Sequence, residues 1–288
     1  MKVLITGVSG QLGYDAAKLL QKQKIDFLGV SSKELDITDR DAVLRVFDTY
    51  HPDAVLHCAA WTKVDLAEDE PERCMRVNAD GTRNVAEACR KIDAKLLYVS
   101  TDYVFPGTGE KPWETDDPTG PLNVYGKSKL AGEAAVMELV EKHFIVRTSW
   151  VIGEHGSNFV KTMLRLAENH DSLRVVDDQI GSPTFTADLA PLLCGMIVTD
   201  KYGCYHVTNE GGYISWYDFA CEIFRQAGMS TKVIPVTTAE YGLSKAVRPY
   251  NSRLDKSKLS ENGFERLPDW KDTLEQYLMY YEKDNLSK

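Results

Sequence analysis

The sequence lacks several features that would point to a membrane, secreted or metal-binding protein. Its 288 residues contain no apolar run approaching the roughly 18 residues of a membrane helix, and no signal-peptide pattern precedes the first predicted strand. The six cysteines are widely scattered without a C-x-x-C pair, so neither a disulfide framework nor a zinc site is indicated. We therefore predict a cytoplasmic protein with no membrane partner.

Positive charge is also scarce. The 34 Lys and Arg residues are outnumbered by 43 Asp and Glu residues, the formal net charge is −9, and no basic run stands out. This balance argues against a nucleic-acid partner, although a small anionic ligand needs only a local positive pocket.

Length and periodicity predict an α/β protein with two regions. In the first half, apolar strand-like runs near residues 3–6, 27–30, 54–58, 96–100 and 144–148 alternate with helical patterns. Such alternation predicts a Rossmann-type, doubly wound parallel sheet. We expect a dinucleotide-binding domain over residues 1–150. A smaller, mixed α/β substrate-binding region is expected mainly over 151–288, with a segment near 203–208 returning to the main sheet.

A glycine motif follows the first predicted strand. Residues 7–13 (GVSGQLG) lie between an apolar run and a helical pattern, as in turns that hold a dinucleotide pyrophosphate at a helix N-terminus. The spacing is G-x-x-G-x-x-G rather than the more common G-x-G-x-x-G. Taken alone, the motif also fits a strand-helix corner in which glycines serve packing only.

A tyrosine and a lysine stand four residues apart in a helical pattern. This spacing places Tyr125 and Lys129 on one helix face. A neighbouring cation favours the phenolate, so the lysine is expected to lower the pKa of the phenol and fit it for proton exchange. By itself the pair is also compatible with an ordinary surface contact.

Hydroxyl groups end the predicted strand near residues 96–100. Ligands bind at the carboxyl edge of doubly wound sheets, so Thr101 is positioned to hydrogen-bond a substrate carbonyl oxygen. A threonine that merely ends a strand is the alternative.

The order and spacing of these three elements resemble the extended short-chain dehydrogenase/reductase superfamily. Within it, the chain looks most like the dTDP-4-dehydrorhamnose reductases, over essentially its whole length. The segments that carry this resemblance are residues 100–105 (STDYVF), 121–126 (PLNVYG), 147–151 (RTSWV), 177–184 (DDQIGSPT), 248–255 (RPYNSRLD) and 267–270 (LPDW).

The resemblance implies a reaction and roles for the three elements. The reaction is the NAD(P)H-dependent reduction of the C4 keto group of dTDP-4-dehydro-6-deoxy-L-mannose to dTDP-L-rhamnose. Tyr125 would protonate the developing alkoxide, Lys129 would tune the phenol and hold the nicotinamide ribose, and Thr101 would orient the carbonyl.

The resemblance also implies two sets of binding residues. Expected cofactor-binding residues, besides Tyr125 and Lys129, are Gly7, Gly10, Gln11, Leu12, Gly13, Ser31, Asp36, Ile37, Ala59, Ala60, Trp61 and Thr62. Expected substrate-binding residues are Thr101, Asp102, Tyr103, Trp150 and Arg253, the last through diphosphate oxygens.

The residues after the second predicted strand bear on the cofactor. An acid at that strand end would bind a ribose 2′-hydroxyl and repel a 2′-phosphate. Here the strand runs into Ser31, Ser32 and Lys33, which favours NADPH and leaves NADH as an alternative. Asp36 either borders the adenine ring, as the resemblance implies, or caps the next helix.

Metal binding and assembly stay open at this stage. Some reductases of this kind bind Mg²⁺ at a subunit interface, and the candidate ligands here would be Asp15 and Asp188. The segment around Asp188 does not match the acidic pattern of those reductases well. We therefore assign no metal ligands, leave the role of Mg²⁺ open and consider a homodimer as one possible assembly.

Two other functions compete with the reductase. They are a sugar-nucleotide epimerase or dehydratase with tightly held NAD, and a non-catalytic regulatory subunit.

Overall fold

The computed structural model describes residues 1–286. In chain order the strands are β1 Lys2–Thr6, β2 Asp26–Val30, β3 Ala54–His57, β4 Lys95–Thr101, β5 His143–Thr148, β6 Val151–Ile152, β7 Ser172–Val176, β8 Ile180–Gly181, β9 Thr184–Phe185, β10 Gly203–His206, β11 Ile214–Ser215 and β12 Lys232–Val236. The α-helices are α1 Gln11–Lys22, α2 Arg40–Tyr50, α3 Val64–Asp69, α4 Pro71–Met75, α5 Thr82–Ile92, α6 Val124–Leu139, α7 Phe159–Ala167, α8 Thr186–Met196, α9 Trp216–Gln226, α10 Thr238–Tyr241, α11 Ser257–Glu261 and α12 Trp270–Leu286.

The central sheet is parallel, and within residues 1–286 its order is β10-β5-β4-β3-β1-β2. Its strands are apolar on both sides because each face is covered by helices. One face packs on α1 and α8, and the opposite face packs on α2, α5 and α6. The prediction of a doubly wound α/β fold is confirmed.

The direction in which successive strands are added to the parallel sheet reverses at β1. The second strand, β2, lies on one side of β1, whereas β3 and the strands after it lie on the other. In doubly wound sheets a crevice opens at such a point, at the carboxyl ends of the strands. This edge of the sheet carries the glycine motif and Thr101.

A wider turn separates α4 from α5. Between α4 and α5 the chain makes a π-helical turn, Arg76–Gly81, which carries the buried Asn78. The Asn78 carboxamide accepts from the Trp61 amide at 2.7 Å and donates to the Ser128 hydroxyl at 2.9 Å. The turn therefore links the segment after β3 to α6.

The second half of the chain forms short strand pairs around a separate apolar cluster. Strands β7 and β12 pair in parallel, β6 and β9 pair in parallel, and β8 and β11 pair antiparallel. The cluster lies among α7, α9 and α12. Sequence analysis did not identify β7, β12 or α12. The division of the chain near residue 150 stays a prediction.

One strand of the second half belongs to the central sheet. Strand β10 pairs in parallel with β5, with Tyr205 opposite Val146. Tyr205 is almost fully buried and donates its hydroxyl to the Lys201 carbonyl at 2.7 Å. Across residues 1–286, no helix combines the length and hydropathy needed to span a bilayer.

The position of β10 in the central sheet predicts a loss of folding stability when the buried ring of Tyr205 is removed. Tyr205→Ala deletes an aromatic side chain that packs against Phe144 and Phe264. Unfolding in denaturant should show a loss of about 3–5 kcal/mol, as for other buried aromatic truncations. Tyr241→Ala, at a site 37% exposed, should change stability by less than about 0.5 kcal/mol. Equal effects of the two substitutions would contradict the packing of β10.

Candidate active site

A cleft of about 690 Å³ runs along the carboxyl edge of the central sheet. Every residue that the sequence analysis assigned to the cofactor, the substrate or catalysis lines this cleft, except Trp61 and Arg253. The parallel strands produce this convergence, because their carboxyl ends lie at the same edge.

The glycine motif forms a tight turn that brings the backbone to the cleft. Gly7 has φ +73°, and a side chain there would lie 2.7 Å from the Ala59 backbone. A Cβ at Gly13 would overlap the Gly7 carbonyl oxygen. Gly10 then precedes the first residue of α1 with no side-chain cap. The turn therefore fits a pyrophosphate, which backbone N–H groups and a helix N-terminus stabilise.

Gln11 joins the glycine turn to the second half of the chain. Its Oε1 accepts from the Gly153 amide at 2.7 Å and from the Asn158 side chain at 3.1 Å, and its Nε2 donates to the Val151 carbonyl at 3.3 Å. Its carboxamide is thus occupied by contacts within the protein, although the residue borders the cleft as predicted.

The turn after β2 holds an acid that the sequence analysis did not consider. Glu34 accepts a hydrogen bond from the Ser31 amide at 2.9 Å and another from the Ser31 hydroxyl. These bonds lower the pKa of the Glu34 carboxyl. The three-residue spacing folds the Glu34 carboxylate back onto Ser31, so an acid lies beside the hydroxyl that ends this strand.

The two alternatives for Asp36 can now be separated. Its carboxylate accepts from the amide and hydroxyl of Thr38 at 2.9 and 2.8 Å, in a local turn that borders the cleft. The cap of α2 is Asp39, whose side chain accepts from the Ala42 amide. Asp36 is therefore not the helix cap.

Helix α6 packs unusually close to the end of β4. A Cβ at Gly126 would overlap the Tyr103 carbonyl oxygen, and a Cβ at Gly132 would overlap the Tyr98 hydroxyl. Both glycines are needed for this approach. The helix begins at Val124, where the Asn123 side chain accepts from the Gly126 amide at 2.8 Å.

Lys129 is buried on the face of α6 that meets the sheet. Its Nζ donates to the Val99 carbonyl at 2.7 Å and lies 4.0 Å from the centroid of the Tyr98 ring. Burial lowers the pKa of Lys129 to about 7, while the Glu133 carboxylate opposes that change. The amine therefore titrates near neutral pH.

Tyr125 differs from the expectation for its acidity. Burial raises the pKa of the Tyr125 phenol above its ordinary value, and the charge of Asp102 raises it further, whereas the Thr101 hydroxyl acts in the opposite direction. The Lys129 Nζ bonds to the Val99 carbonyl and lies over the Tyr98 ring, and the predicted lowering of the Tyr125 pKa by this amine does not outweigh burial. The phenol is protonated at neutral pH.

Thr101 and Asp102 form a pair beside Tyr125. The Thr101 hydroxyl donates to Asp102 Oδ1 at 3.0 Å and accepts from the Tyr103 amide at 3.2 Å. Asp102 Oδ2 is buried and has no hydrogen bond of standard geometry among residues 1–286, although the nearby Ser252 hydroxyl acts to lower the pKa of this carboxyl. Burial raises the pKa of Asp102 to about 6. An unpaired carboxylate oxygen in a cleft is suited to accept a hydrogen bond from a ligand hydroxyl.

Two stacked indoles form part of the cleft wall. Trp150 and Trp216 lie with ring centroids 3.7 Å apart and an interplanar angle of 17°. Trp150 adopts φ +49°, which is strained for a residue with a side chain. Its ring packs on Gly181, where an added Cβ would lie only 3.0 Å from the indole. Sequence analysis missed Trp216, because an aromatic residue at the start of an amphipathic helix is typical of core packing.

Two predicted residues lie elsewhere. The Trp61 indole donates to the Lys63 carbonyl at 3.2 Å and faces the Arg73 guanidinium, and it does not line the cleft although Ala60 and Thr62 do. The Arg253 guanidinium bonds to Asn251 Oδ1 at 3.0 Å, two residues before it. Both differ from the expected positions because local partners hold the side chains.

A different arginine contacts Tyr103, which lines the cleft. Arg248 donates to the Tyr103 hydroxyl at 3.2 Å and to Asp65 at 2.6 Å. The Tyr103 ring in turn meets the Tyr125 ring edge to face, with centroids 5.7 Å apart. The position of Arg248 in the segment 248–255 is the one indication of this contact that the sequence analysis contained.

The two candidate magnesium ligands are engaged separately. The Asp15 carboxylate accepts a hydrogen bond from Thr186, and Asp188 accepts from Asn209 at 2.6 Å and from Thr273 at 2.8 Å. Among residues 1–286, no group of three or more His, Cys, Asp or Glu side chains is arranged to hold a metal ion. The structure therefore offers no argument for a metal within one chain.

A dinucleotide turn at the switch point of a parallel sheet, with a tyrosine-lysine helix beside it, defines the class of short-chain dehydrogenases/reductases. More specifically, the chain belongs to the family described as RmlD substrate binding domain, whose model matches residues 1–283.

Individual relatives are similar over nearly their full length. The spore coat polysaccharide biosynthesis protein SpsK of Bacillus subtilis is 42% identical, over 96% of each chain. The dTDP-4-dehydrorhamnose reductase of Streptomyces griseus is 44% identical, over 94% of this chain and 91% of its own. A crystal structure of dTDP-4-dehydrorhamnose reductase from Bacillus anthracis in complex with NADP superposes with a TM-score of 0.94 at 45% identity, covering 97% of this chain and 99% of that one.

The burial of Asp102 predicts a pH-dependent gain in stability for Asp102→Asn. The folded protein binds the Asp102 proton more tightly than the unfolded chain, because its pKa is about 6 instead of 3.8. Wild-type stability therefore declines as the pH rises between these values, and the deficit persists above them. At higher pH the variant should be more stable by about 2–3 kcal/mol.

Denaturant unfolding across this pH range measures the difference. Below the ordinary pKa of 3.8 the wild type and Asp102→Asn should be equally stable. The exposed substitution Asp171→Asn serves as the control and should show no such pH-dependent gain. A variant less stable than the wild type at every pH would show that the Asp102 carboxylate is paired rather than isolated.

Proposed function

We propose that this protein catalyses the NADPH-dependent reduction of the C4 keto group of dTDP-4-dehydrorhamnose to give dTDP-L-rhamnose. The observation that carries the proposal is the meeting of Thr101, Tyr125 and Lys129 in the cleft that also contains the glycine turn. Relatives named for this activity match nearly the whole chain, which supports the choice of substrate.

The cofactor site fits a phosphorylated dinucleotide. The glycine turn and the N-terminus of α1 would hold the pyrophosphate, and Ser31 with the adjacent turn would meet the adenosine end. The related Bacillus anthracis reductase was crystallised with NADP, which supports NADPH here. When bound, NADPH supplies the hydride that converts the keto carbon to the alcohol carbon.

Tyr125 provides the proton that completes the reduction. A reduced carbonyl oxygen needs one proton, and the phenol carries it at neutral pH because burial and Asp102 raise its pKa. A donor that keeps its proton until negative charge develops on the substrate oxygen is suited to general acid catalysis in this direction. Thr101, which acts on the same phenol, is suited to orient the carbonyl oxygen.

Lys129 supplies positive charge beneath the reacting groups. Its amine is fixed by the Val99 carbonyl and the Tyr98 ring, and it titrates near neutral pH. In the protonated form it stabilises negative charge on the phenolate after proton transfer. It also offers N–H donors for the hydroxyls of the nicotinamide ribose.

The remaining walls are suited to the sugar. Asp102 Oδ2 is available to accept a hydrogen bond from a sugar hydroxyl. The indole pair of Trp150 and Trp216 presents aromatic surface to ring hydrogens and a deoxysugar methyl group. Behind this wall, Arg248 donates a hydrogen bond to the hydroxyl of Tyr103, which lines the cleft.

Other expectations from the sequence stay predictions. They concern the cytoplasmic location, the lack of a nucleic-acid partner, the homodimer and the role of Mg²⁺.

The competing function is that of an epimerase or dehydratase. Such an enzyme would restore its NAD in each cycle, so its activity would produce no net oxidation of added NADPH.

The reaction can be tested with the purified protein and dTDP-4-dehydrorhamnose generated in place. NADPH absorbance should fall only when the sugar nucleotide is present, with stoichiometric formation of dTDP-L-rhamnose. Folded protein that binds NADPH but consumes none of it would exclude the proposed reaction.

Replacing the phenol separates proton transfer from cofactor binding. Tyr125→Phe keeps the ring and removes the proton donor, so turnover should fall by about 10²–10⁴-fold. The affinity for NADPH, measured by fluorescence, should change little. The buried Tyr98 also lies by Lys129 but does not line the cleft, so Tyr98→Phe should retain most of the activity. Unchanged turnover in Tyr125→Phe would refute the assignment of the proton donor.

The position of Glu34 after β2 predicts an effect of this residue on cofactor preference. Glu34→Gln removes a negative charge bonded to Ser31, where a 2′-phosphate is expected. The ratio of dissociation constants for NADH and NADPH should therefore rise a few-fold in favour of NADPH. The exposed substitution Glu141→Gln, outside the cleft, should leave the ratio unchanged. A ratio that moves toward NADH would place the 2′-phosphate elsewhere.

A further inference from the structure

A buried ion pair lies one helical turn beyond Lys129. Glu133 on α6 is fully buried, and the side chain of Arg147 on β5 is 7% exposed. The contact is bidentate, since Arg147 Nε donates to Glu133 Oε1 at 2.9 Å and Nη2 donates to Oε2 at 2.7 Å. Neither residue lines the cleft.

Further contacts connect this pair to the strand end that carries Thr101. The Ser100 hydroxyl, directly before Thr101, donates to Glu133 Oε1 at 2.5 Å. Arg147 Nη1 donates to the Thr115 carbonyl at 3.0 Å, and its guanidinium lies 5.0 Å from the centroid of the Phe105 ring. One ion pair therefore joins α6, β4, β5 and the segment that follows β4.

Stability alone does not explain such a pair. Moving two charges out of water is costly, and apolar residues of similar volume often stabilise a core equally well or better. A bidentate contact instead restricts the relative position of the elements that it joins. Here those elements carry Tyr125, Lys129 and Thr101.

We propose that Glu133 is a positioning residue for the reduction: paired with Arg147 and bonded to Ser100, it holds the helix of Tyr125 and Lys129 against the strand end of Thr101. This inference rests on the proposed function, because the groups it positions are those of the reduction. Glu133 itself does not touch the cleft, so its action is indirect.

The same carboxylate also acts on the charge of Lys129. Glu133 is the largest influence that raises the pKa of Lys129 against the effect of burial. In the part of the chain that the structure describes, four other titratable groups face the amine: His57 on β3, Cys58 directly after β3, Cys74 on α4 and Tyr98 on β4. Glu133 is the acid in this group, so its neutralisation should favour the uncharged amine.

Three variants test the proposal. Glu133→Gln keeps the shape and removes the charge. The double variant Glu133→Gln with Arg147→Met also removes the partner charge, which avoids leaving a buried cation unpaired. Glu138→Gln is the matched control, because Glu138 lies on the same helix in an exposed ion pair with Arg83.

The first readout is the titration of Lys129 in the free protein. Lysine ε-carbon signals are followed by carbon-13 NMR, and the Lys129 signal is assigned by its loss in Lys129→Met. The midpoint should lie near neutral pH in the wild type and in Glu138→Gln. It should fall by about one pH unit or more in Glu133→Gln, and by less in the double variant.

The second readout is the pH profile of NADPH oxidation. If the protonated amine is required, kcat in Glu133→Gln should decline at lower pH than in the wild type. At pH values above both midpoints, kcat should be about tenfold lower for each pH unit by which the midpoint falls. The KM for the sugar nucleotide should change less than kcat, because Glu133 does not line the cleft.

Several outcomes would overturn the proposal. An unchanged Lys129 midpoint in Glu133→Gln, with activity reduced equally at all pH values, would show a purely structural role. Activity equal to that of Glu138→Gln would show no role. If Glu133→Gln does not fold, the double variant decides, and a wild-type midpoint there would refute the inference.

These outcomes are separate from failure of the proposed function. That failure appears as a wild-type protein that does not oxidise NADPH in the presence of the sugar nucleotide. The Lys129 titration is measured without substrate or cofactor. It therefore tests the action of Glu133 on Lys129 in either case.

Discussion

The close packing of α6 on the carboxyl end of β4 is the constraint on which the rest of the site depends. It is possible because Gly126 and Gly132 have no side chains where the helix meets Tyr103 and Tyr98. At this distance Tyr125 lies within reach of Thr101, the Lys129 amine bonds to a β4 carbonyl, and the Glu133 carboxylate accepts from Ser100. A helix displaced outward by the width of a methyl group would disturb these contacts together, since they lie on successive turns of α6. The helix therefore acts as one unit in organising the chemistry.

Burial at this contact sets the protonation of the site. It raises the pKa of Tyr125 and of Asp102 and lowers that of Lys129, so the phenol holds its proton while the carboxyl and the amine titrate near neutral pH. Each of these pKa shifts favours the neutral form of a group in a poorly solvated environment. The Glu133 carboxylate acts against this tendency for Lys129. The site thus combines a protonated donor with an amine whose pKa burial lowers and the Glu133 carboxylate raises.

Much of this arrangement follows from the sequence, because it depends on local pattern. Alternating apolar runs predicted the parallel sheet, and the glycine motif, Thr101 and the Tyr125–Lys129 spacing predicted which residues meet at its edge. The differences between expectation and structure concern contacts between distant segments or side-chain direction. Trp61 and Arg253 carry suitable chemistry, but local partners hold their side chains and neither lines the cleft. Tertiary packing places Trp216 in the cleft wall and puts Arg248 and the Glu133–Arg147 pair behind the residues that line it, and spacing gives no signal for such contacts. The pKa of Tyr125 could not be inferred either, because it depends on burial.

The most direct test follows the transferred atom. NADPH carrying deuterium at the transferable nicotinamide position is incubated with the protein and dTDP-4-dehydrorhamnose, and the product is examined by NMR and mass spectrometry. We expect one deuterium at C4 of dTDP-L-rhamnose, with one equivalent of NADPH oxidised for each sugar reduced. A product without deuterium, or a change in sugar configuration without net NADPH oxidation, would contradict the assignment of this cleft as the site of a reductase.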